Sequence, residues 1–238
     1  MLRSIRIAFA PLALLPFTQA AAAQTHAAPA WHDDYTTRLE ALALLQTLNA
    51  DLLSGDSATV TLDRWCMTHQ LASPARIVAE RIKGSDEAPT PEQRQILGVG
   101  PDEPVAFRRV RLKCGEHVLS EAENWYVPSR LTAEMNRLLA ETDTPFGRAV
   151  KTLNFRRRTL SAKLLWSPLP KDWEMAGTAE RSAVEPGSSN GALLVPHEVL
   201  EHRAVLSLPD GTPISQVVET YTGDVLAFPE PEGGASRE

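Results

Sequence analysis

The 238-residue sequence lacks the motifs of the common catalytic and metal-binding sites. It has no glycine-rich phosphate loop, no Gly-x-Ser-x-Gly turn and no paired catalytic cysteine and histidine. The six histidines show no metal-ligand spacing, and the one Cys-x-x-His, from Cys66 to His69, has no second pair to complete a zinc site. We therefore predict that the protein has no metal site.

Positive charge and long apolar runs are also scarce. Lys and Arg number 24 against 30 Asp and Glu, which gives a net charge of −6 and argues against nucleic acid as a partner. The apolar run at residues 7–17 is interrupted by Pro11 and Pro16 and is too short to span a bilayer. We expect a monomer with no stable membrane insertion.

This apolar run is instead typical of a secretory signal peptide over residues 1–23. Arg3 and Arg6 form the basic region before it, and small residues at 20–23 provide a cleavage site. The pattern predicts a periplasmic or secreted protein, with residues 24–33 as a flexible tether. The alternative interpretation is an incorrect start site or a disordered tail.

The sequence contains only two cysteines, Cys66 and Cys114, and both lie in segments with predicted structure. Because thiols of exported proteins meet an oxidising compartment, we predict one disulfide between them. Two buried free thiols are the alternative, since the sequence does not supply the geometry that a disulfide needs.

The order of predicted elements indicates a single α+β domain over residues 34–228. Amphipathic helices come first, and strand patterns with hairpin turns follow at residues 104–127 and 203–221. A long loop rich in Pro, Gly and Ser is predicted at residues 167–196, and a disordered tail at 229–238.

Arg108 is the most informative residue of the predicted sheet. Side chains alternate across a strand, so Arg108 shares one face of its strand with apolar residues only: Ala106, Val110, Leu112 and Cys114. A buried guanidinium needs an anionic partner. That partner is a carboxylate either of the protein or of a ligand.

Three parts of the sequence resemble chorismate lyase and the related UTRA ligand-binding domain of transcription regulators. They are residues 105–112 with 125–128, residues 144–148, and residues 206–213 with 217–221. The resemblance implies a mostly antiparallel six-stranded sheet with helices packed on one side. It also implies conversion of chorismate to 4-hydroxybenzoate and pyruvate in a sealed pocket, without a cofactor.

The resemblance also implies roles for individual residues. Arg108 matches the arginine that binds the ring carboxylate, and Glu219 matches the acid that faces the ring oxygen or handles a proton. Phe146 and Ala58 fall at apolar positions that cover the pocket. The sequence departs from the enzymes at Asn124, where they have a second arginine, and at Ala58, where they have a bulky residue.

Three functions follow as hypotheses. The first is an exported chorismate lyase-like enzyme, and the second is a periplasmic module that binds a small aromatic or aliphatic carboxylate without chemistry. The third is a structural domain with a collapsed pocket, in which Arg108 and Glu219 pair directly. The run of three arginines at residues 156–158 is interpreted as solvent-exposed, as most runs of like charge are, with attraction of anions as the alternative.

Overall fold

The computed structural model describes residues 31–84, 86–175, 177 and 191–231. The predicted signal peptide at residues 1–23 and most of the predicted tether lie outside the described residues. The same holds for residues 178–190 of the predicted loop and for residues 232–238 of the predicted tail.

Two helices open the domain. Helix α1 (Tyr35–Ser54) begins where the Asp34 side chain accepts a hydrogen bond from the Thr37 amide, as an N-cap does. Its buried leucines, Leu45, Leu48 and Leu52, recur at helical spacing. Helix α2 (Ala58–Thr68) packs beside it. The helix turns Leu62 and Trp65 to the core and leaves Val60 60% exposed.

Six strands form one antiparallel sheet in the order β1-β2-β3-β6-β5-β4. Their bounds are Ile77–Ile82, Ala106–Cys114, His117–Tyr126, Arg156–Leu164, Glu198–Ser207 and Pro213–Thr222 for β1 to β6. Three further helices are α3 (Pro91–Leu97), α4 (Ala133–Glu141) and α5 (Phe146–Ala149). Short 3-10 helices cover Pro128–Arg130, Lys151–Leu153, Trp173–Met175 and Gly223–Leu226. This architecture confirms the predicted α+β class.

The main core lies between α1, α2 and one face of the sheet. Leucines of α1 and α2 meet Val110, Leu112 and Tyr221 there. Helices α4 and α5 pack near the far end of the same face, around Tyr126 and Leu206. Helix α3 lies on the opposite face, where Leu97 contacts the Trp125 cluster. The strands thus present one largely enclosed face to the helices.

A disulfide ties α2 to the sheet, as predicted. The sulfurs of Cys66 on α2 and Cys114 on β2 are 2.06 Å apart, and both residues are fully buried. The bond fixes the C-terminal part of α2 against the strand that carries Arg108.

The predicted tether and tail need correction where the structure describes them. Trp31 is 3% exposed, and its indole Nε1 donates to the Phe228 carbonyl at 2.7 Å. Glu230 accepts hydrogen bonds from the His32 amide and the Thr37 hydroxyl, both at 2.9 Å. The tether prediction is therefore wrong for residues 31–33 and the tail prediction is wrong at Glu230, because both segments pack against the domain.

The described parts of the predicted loop at residues 167–196 also contact the domain. Leu169 is buried, and Ala192 forms an isolated β-bridge with His32. No helix in the described part of the chain combines the length and apolar composition that crossing a bilayer requires.

Candidate functional site

A small cavity lies between the enclosed face of the sheet and the first residues of α2 and α5. Ala58, Arg108, Phe146 and Glu219, the four residues singled out from the sequence, all line it. Its volume is about 50 Å³. A space of this size holds roughly three to five water molecules. The structure thus brings together every predicted pocket residue.

Arg108 projects from β2 into the enclosed face and is only 3% exposed. Its Nη1 donates to the Thr144 carbonyl at 2.8 Å and its Nη2 to the Thr142 carbonyl at 3.1 Å. Its Nε is buried without a partner among the described residues. Burial and then the nearby Arg81 lower the pKa of Arg108, while Tyr126 and Asp143 oppose that shift. The guanidinium is therefore held by backbone dipoles and not by a carboxylate in direct contact.

Glu219 projects from β6 and is also buried. Its Oε2 accepts from Arg157 Nη2 at 2.5 Å and from the Tyr221 hydroxyl at 3.1 Å. Because both contacts use the same oxygen, Oε1 is left for another donor. The hypothesis of a direct Arg108–Glu219 pair in a collapsed pocket is thus wrong, since each residue has other partners and a cavity contains both.

Arg157 also lines the cavity, although the sequence interpretation placed it in a solvent-exposed run. Its side chain is 3% exposed, whereas that of Arg156 is 77% exposed, so the run at residues 156–158 is not uniformly solvated. Burial opposes the charge of Arg157, but Glu219 and Tyr221 outweigh that effect and raise its pKa. Phe155, two residues before Arg157, lines the same cavity, but the arginines at 156 and 158 conceal the strand alternation that would place Arg157 on the same face.

His202 and Tyr221 are buried next to Glu219 of the ion pair. His202 is opposite Glu219 in the β5–β6 register and is fully buried. Its Nε2 lies 2.8 Å from Asn49 Oδ1, so Nε2 carries the proton, and Nδ1 is buried with no hydrogen-bond partner in the described chain. Burial lowers the pKa of His202 to about 4, an effect that Glu219 opposes and Arg157 reinforces. Burial, with Glu219, raises the pKa of Tyr221. Both groups are therefore neutral at pH 7.

Asn124 lies directly opposite Arg108 across the β2–β3 pair and lines the cavity. The Ser215 hydroxyl donates to its side-chain oxygen. Asn124 is thus a buried, neutral member of the site. By the family resemblance, chorismate lyases have a second arginine at this position.

The cavity is closed by α2 and α5. Phe146, the first residue of α5, is half-buried, with its ring 5.7 Å from that of Tyr126. Ala58 begins α2, and the preceding Ser57 has a buried hydroxyl without a partner among the described residues. Gly147 lies so close to this point that a Cβ there would be 2.7 Å from Ser57 Oγ. The two helix starts therefore meet over the cavity.

Positive charge exceeds negative charge inside the cavity. Arg108 and Arg157 are the buried cations of the lining, and Glu219 is the buried anion. Asp56 also lines the cavity, but its side chain is 54% exposed, so solvent screens its charge. The remaining walls are mostly apolar: Val110, Leu112, Ala122, Phe155, Leu206 and Val217. Such a site can hold a small molecule with an apolar body and an anionic group.

Comparison with known proteins gives one relative of high identity. A protein of Sinorhizobium fredii (strain NBRC 101917 / NGR234), named "Uncharacterized protein y4mC", is 57% identical over 202 residues. The match covers 84% of this chain and 83% of that protein. The chain therefore belongs to the same family as y4mC. No family model matches the chain.

Solved structures show weaker similarity. The effector domain of PhnF from Mycobacterium smegmatis is 16% identical, with 71% of this chain and 90% of that chain covered and a TM-score of 0.43. YydK from Bacillus subtilis is 18% identical, with 61% and 57% covered and a TM-score of 0.36, so the chain spans little more than half of YydK. At these values, the α+β assignment depends on the sheet and helices of the chain itself.

Proposed function

We propose that the protein binds a small carboxylate in the cavity, with Arg108 as its anchor. The observation that carries the proposal is a buried guanidinium with no carboxylate within ion-pair distance among the described residues. Burying an unpaired charge costs several kcal/mol, so a site of this kind gains stability when an anion arrives.

The donors of Arg108 suit a carboxylate. A guanidinium has five N–H donors in a planar fork, and backbone carbonyls engage one each on Nη1 and Nη2. The free Nε–H is available for a charge-assisted hydrogen bond, which is stronger than a neutral one. A lysine at position 108 would bind a carboxylate more weakly, because its ammonium group lacks the planar fork of donors.

The rest of the cavity sets the shape of the ligand. Phe146 and Phe155 add aromatic rings to the cavity that Arg108, Arg157 and Glu219 also line. Glu219 Oε1 accepts from a hydroxyl or amine at the far end of the ligand. The small volume favours a ligand of few heavy atoms, such as a substituted benzoate or a short aliphatic acid.

Thermal unfolding with a panel of small carboxylates tests this proposal. Ligand at about one hundred times Kd stabilises the folded state by about 2.7 kcal/mol. We expect Arg108→Gln to abolish the response, whereas Arg111→Gln keeps it because Arg111 lies on the opposite face and pairs with Glu121. A panel that leaves the wild-type transition unchanged would remove the proposal.

Elimination of pyruvate from chorismate is the second candidate. It is favoured by the presence of Arg108 and the free Glu219 Oε1 in one apolar cavity. In this reaction the ring loses the C4 proton while the ether bond to the enolpyruvyl group breaks. The products are 4-hydroxybenzoate and pyruvate. Glu219 would accept the C4 proton, and the departing enolpyruvate takes up a proton to become pyruvate.

Incubation of the purified protein with chorismate tests this second candidate. Formation of 4-hydroxybenzoate above the level of an Arg108→Ala variant would establish turnover. Binding of the product without turnover would leave carboxylate binding as the function.

We further propose that the protein is exported, as the signal-like sequence at residues 1–23 predicts. The Cys66–Cys114 disulfide supports this, because such bonds persist in oxidising compartments. N-terminal sequencing of protein recovered from the periplasm or medium tests it, with cleavage expected before Gln24. Recovery of the uncleaved chain in the cytoplasm alone would contradict it.

A further inference from the structure

A second concave surface lies outside the cavity, where β1 and β2 reach the edge of the sheet. We call it the edge groove, and its volume is about 220 Å³. The residues that give it its charge are Arg81, Lys83, Asp86, Arg108 and Arg109. Arg108 thus lines both the cavity and the edge groove.

The edge groove concentrates positive charge on an acidic protein. Four cationic side chains line it against one carboxylate, while the whole chain carries −6. Arg109 has carboxylates at 3.6 and 3.9 Å, from Glu123 and Glu121. Within the described residues, no ion pair joins a carboxylate to Arg81, Lys83 or Arg108. Arg81, Lys83 and Arg108 therefore line the edge groove outside the ion pairs of the described residues, with Asp86 as the carboxylate of the lining.

Two of these cations are fixed in place by the end of α4. Arg81 Nη1 donates to the Ala140 carbonyl, and Arg108 donates to the carbonyls of Thr142 and Thr144 just beyond the helix. Carbonyls at a helix C-terminus carry partial negative charge, so they orient the guanidinium groups without neutralising them. Lys83 is exposed and adds a mobile ammonium beside them.

We propose that the edge groove binds a phosphate- or sulfate-type oxyanion. Such a group offers several acceptor oxygens at once, which suits two oriented guanidinium groups and one ammonium. The groove is also mostly polar, unlike the cavity with its apolar walls. The two sites share Arg108, but Arg81 and Lys83 line only the edge groove, so variants of these two residues test the edge groove apart from carboxylate binding.

Titration of isotope-labelled protein with inorganic phosphate at constant ionic strength, followed by amide NMR, tests the proposal. We expect saturable shifts of the Gly84 and Asp86 amides. Lys83→Gln should weaken phosphate binding by about two- to fivefold, as loss of an exposed ionic contact does. Lys163→Gln is the matched control, since Lys163 is an exposed lysine on the opposite edge strand.

The same titration has clear contrary outcomes. Shifts that do not saturate, or equal weakening by Lys83→Gln and Lys163→Gln, would overturn the site. Largest shifts at Ala58 and Phe146 would also overturn it, because they would place the anion in the cavity. Arg81→Gln provides a second variant and should weaken binding in the same direction, since its charge faces the same groove.

Discussion

At the scale of single residues, the Arg157–Glu219 pair is a buried ion pair in the lining of the cavity. Both side chains are buried and their contact is 2.5 Å. Desolvation makes such a pair only a modest net contributor to stability, but loss of one partner leaves the other charge buried and alone. The intact pair therefore adds little to the free energy of unfolding, whereas loss of one partner lowers that free energy strongly.

Replacing Arg157 by methionine should destabilise the fold by about 3 kcal/mol, because Glu219 would remain buried without its cation. Arg156→Met is the matched control, and we expect it to change the free energy of unfolding by less than about 0.5 kcal/mol. Urea denaturation measures both. Adding Glu219→Gln to Arg157→Met should recover part of the loss, and equal effects of the two single arginine variants would contradict the role of the pair.

His202 predicts a specific dependence of stability on pH. The folded imidazole titrates near pH 4 and the unfolded one near 6.5, so the unfolded chain binds more protons between these values. The contribution is complete above about pH 6.5 and is lost as the pH falls toward 4, with a total of about 3 kcal/mol. Urea denaturation over this range should show a shallower decline for His202→Gln than for wild type. The exposed-residue control His197→Gln should follow wild type, and identical curves for all three would contradict the assignment.

At the scale of secondary-structure elements, the start of α2 and the start of α5 act together as the cover of the cavity. Gly147 permits their close approach, because any side chain there would contact the Ser57 hydroxyl. The disulfide fixes the other end of α2 to β2. Helix α2 is thus held at its C-terminal part by the disulfide to β2 and at its start by close packing against Gly147 of α5.

A methyl group at position 147 should separate the two helices. We expect Gly147→Ala to destabilise the protein by about 1 to 3 kcal/mol, the range for overpacked sites, and to weaken ligand binding. Gly100→Ala is the control, since a Cβ there meets nothing within 4 Å. Thermal unfolding of the two variants compares them directly. A stability for Gly147→Ala equal to that of Gly100→Ala would show that the helices adjust freely.

Removing the disulfide should loosen α2. The bond closes a loop with a sequence separation of 48, and its loss should cost about 2 to 5 kcal/mol. The double variant Cys66→Ala/Cys114→Ala in urea denaturation measures this, with reductant as a second route to the same state. Reductant should have no effect on the double variant, and an unchanged midpoint for that variant would contradict a stabilising role.

At the scale of the whole molecule, the sequence predicted the α+β class and four residues that line the cavity. Strand alternation placed Arg108 on the enclosed face because its neighbours two residues away are all apolar. Glu219, Phe146 and Ala58 came from the family resemblance, and the cavity contains all of them. The α+β class followed from the order of helical and strand patterns.

Arg157 could not be found in the same way, because arginines on both sides conceal the alternation. The sequence also did not predict which residue each buried charge contacts. Pairing of Arg157 with Glu219 depends on how β4, β5 and β6 lie side by side, which only the sheet order decides. Burial of Trp31 and binding of Glu230 likewise depend on the two ends of the domain meeting in space.

The central claim is that the buried Arg108 anchors a small carboxylate. Calorimetric titration of the wild-type protein, Arg108→Lys and Arg111→Lys with the best carboxylate of the panel tests it most directly. We predict saturable binding to the wild-type protein and Arg111→Lys. Arg108→Lys should bind at least about tenfold more weakly, because lysine keeps the charge but loses the fork of donors. Equal affinity for all three proteins would contradict the claim.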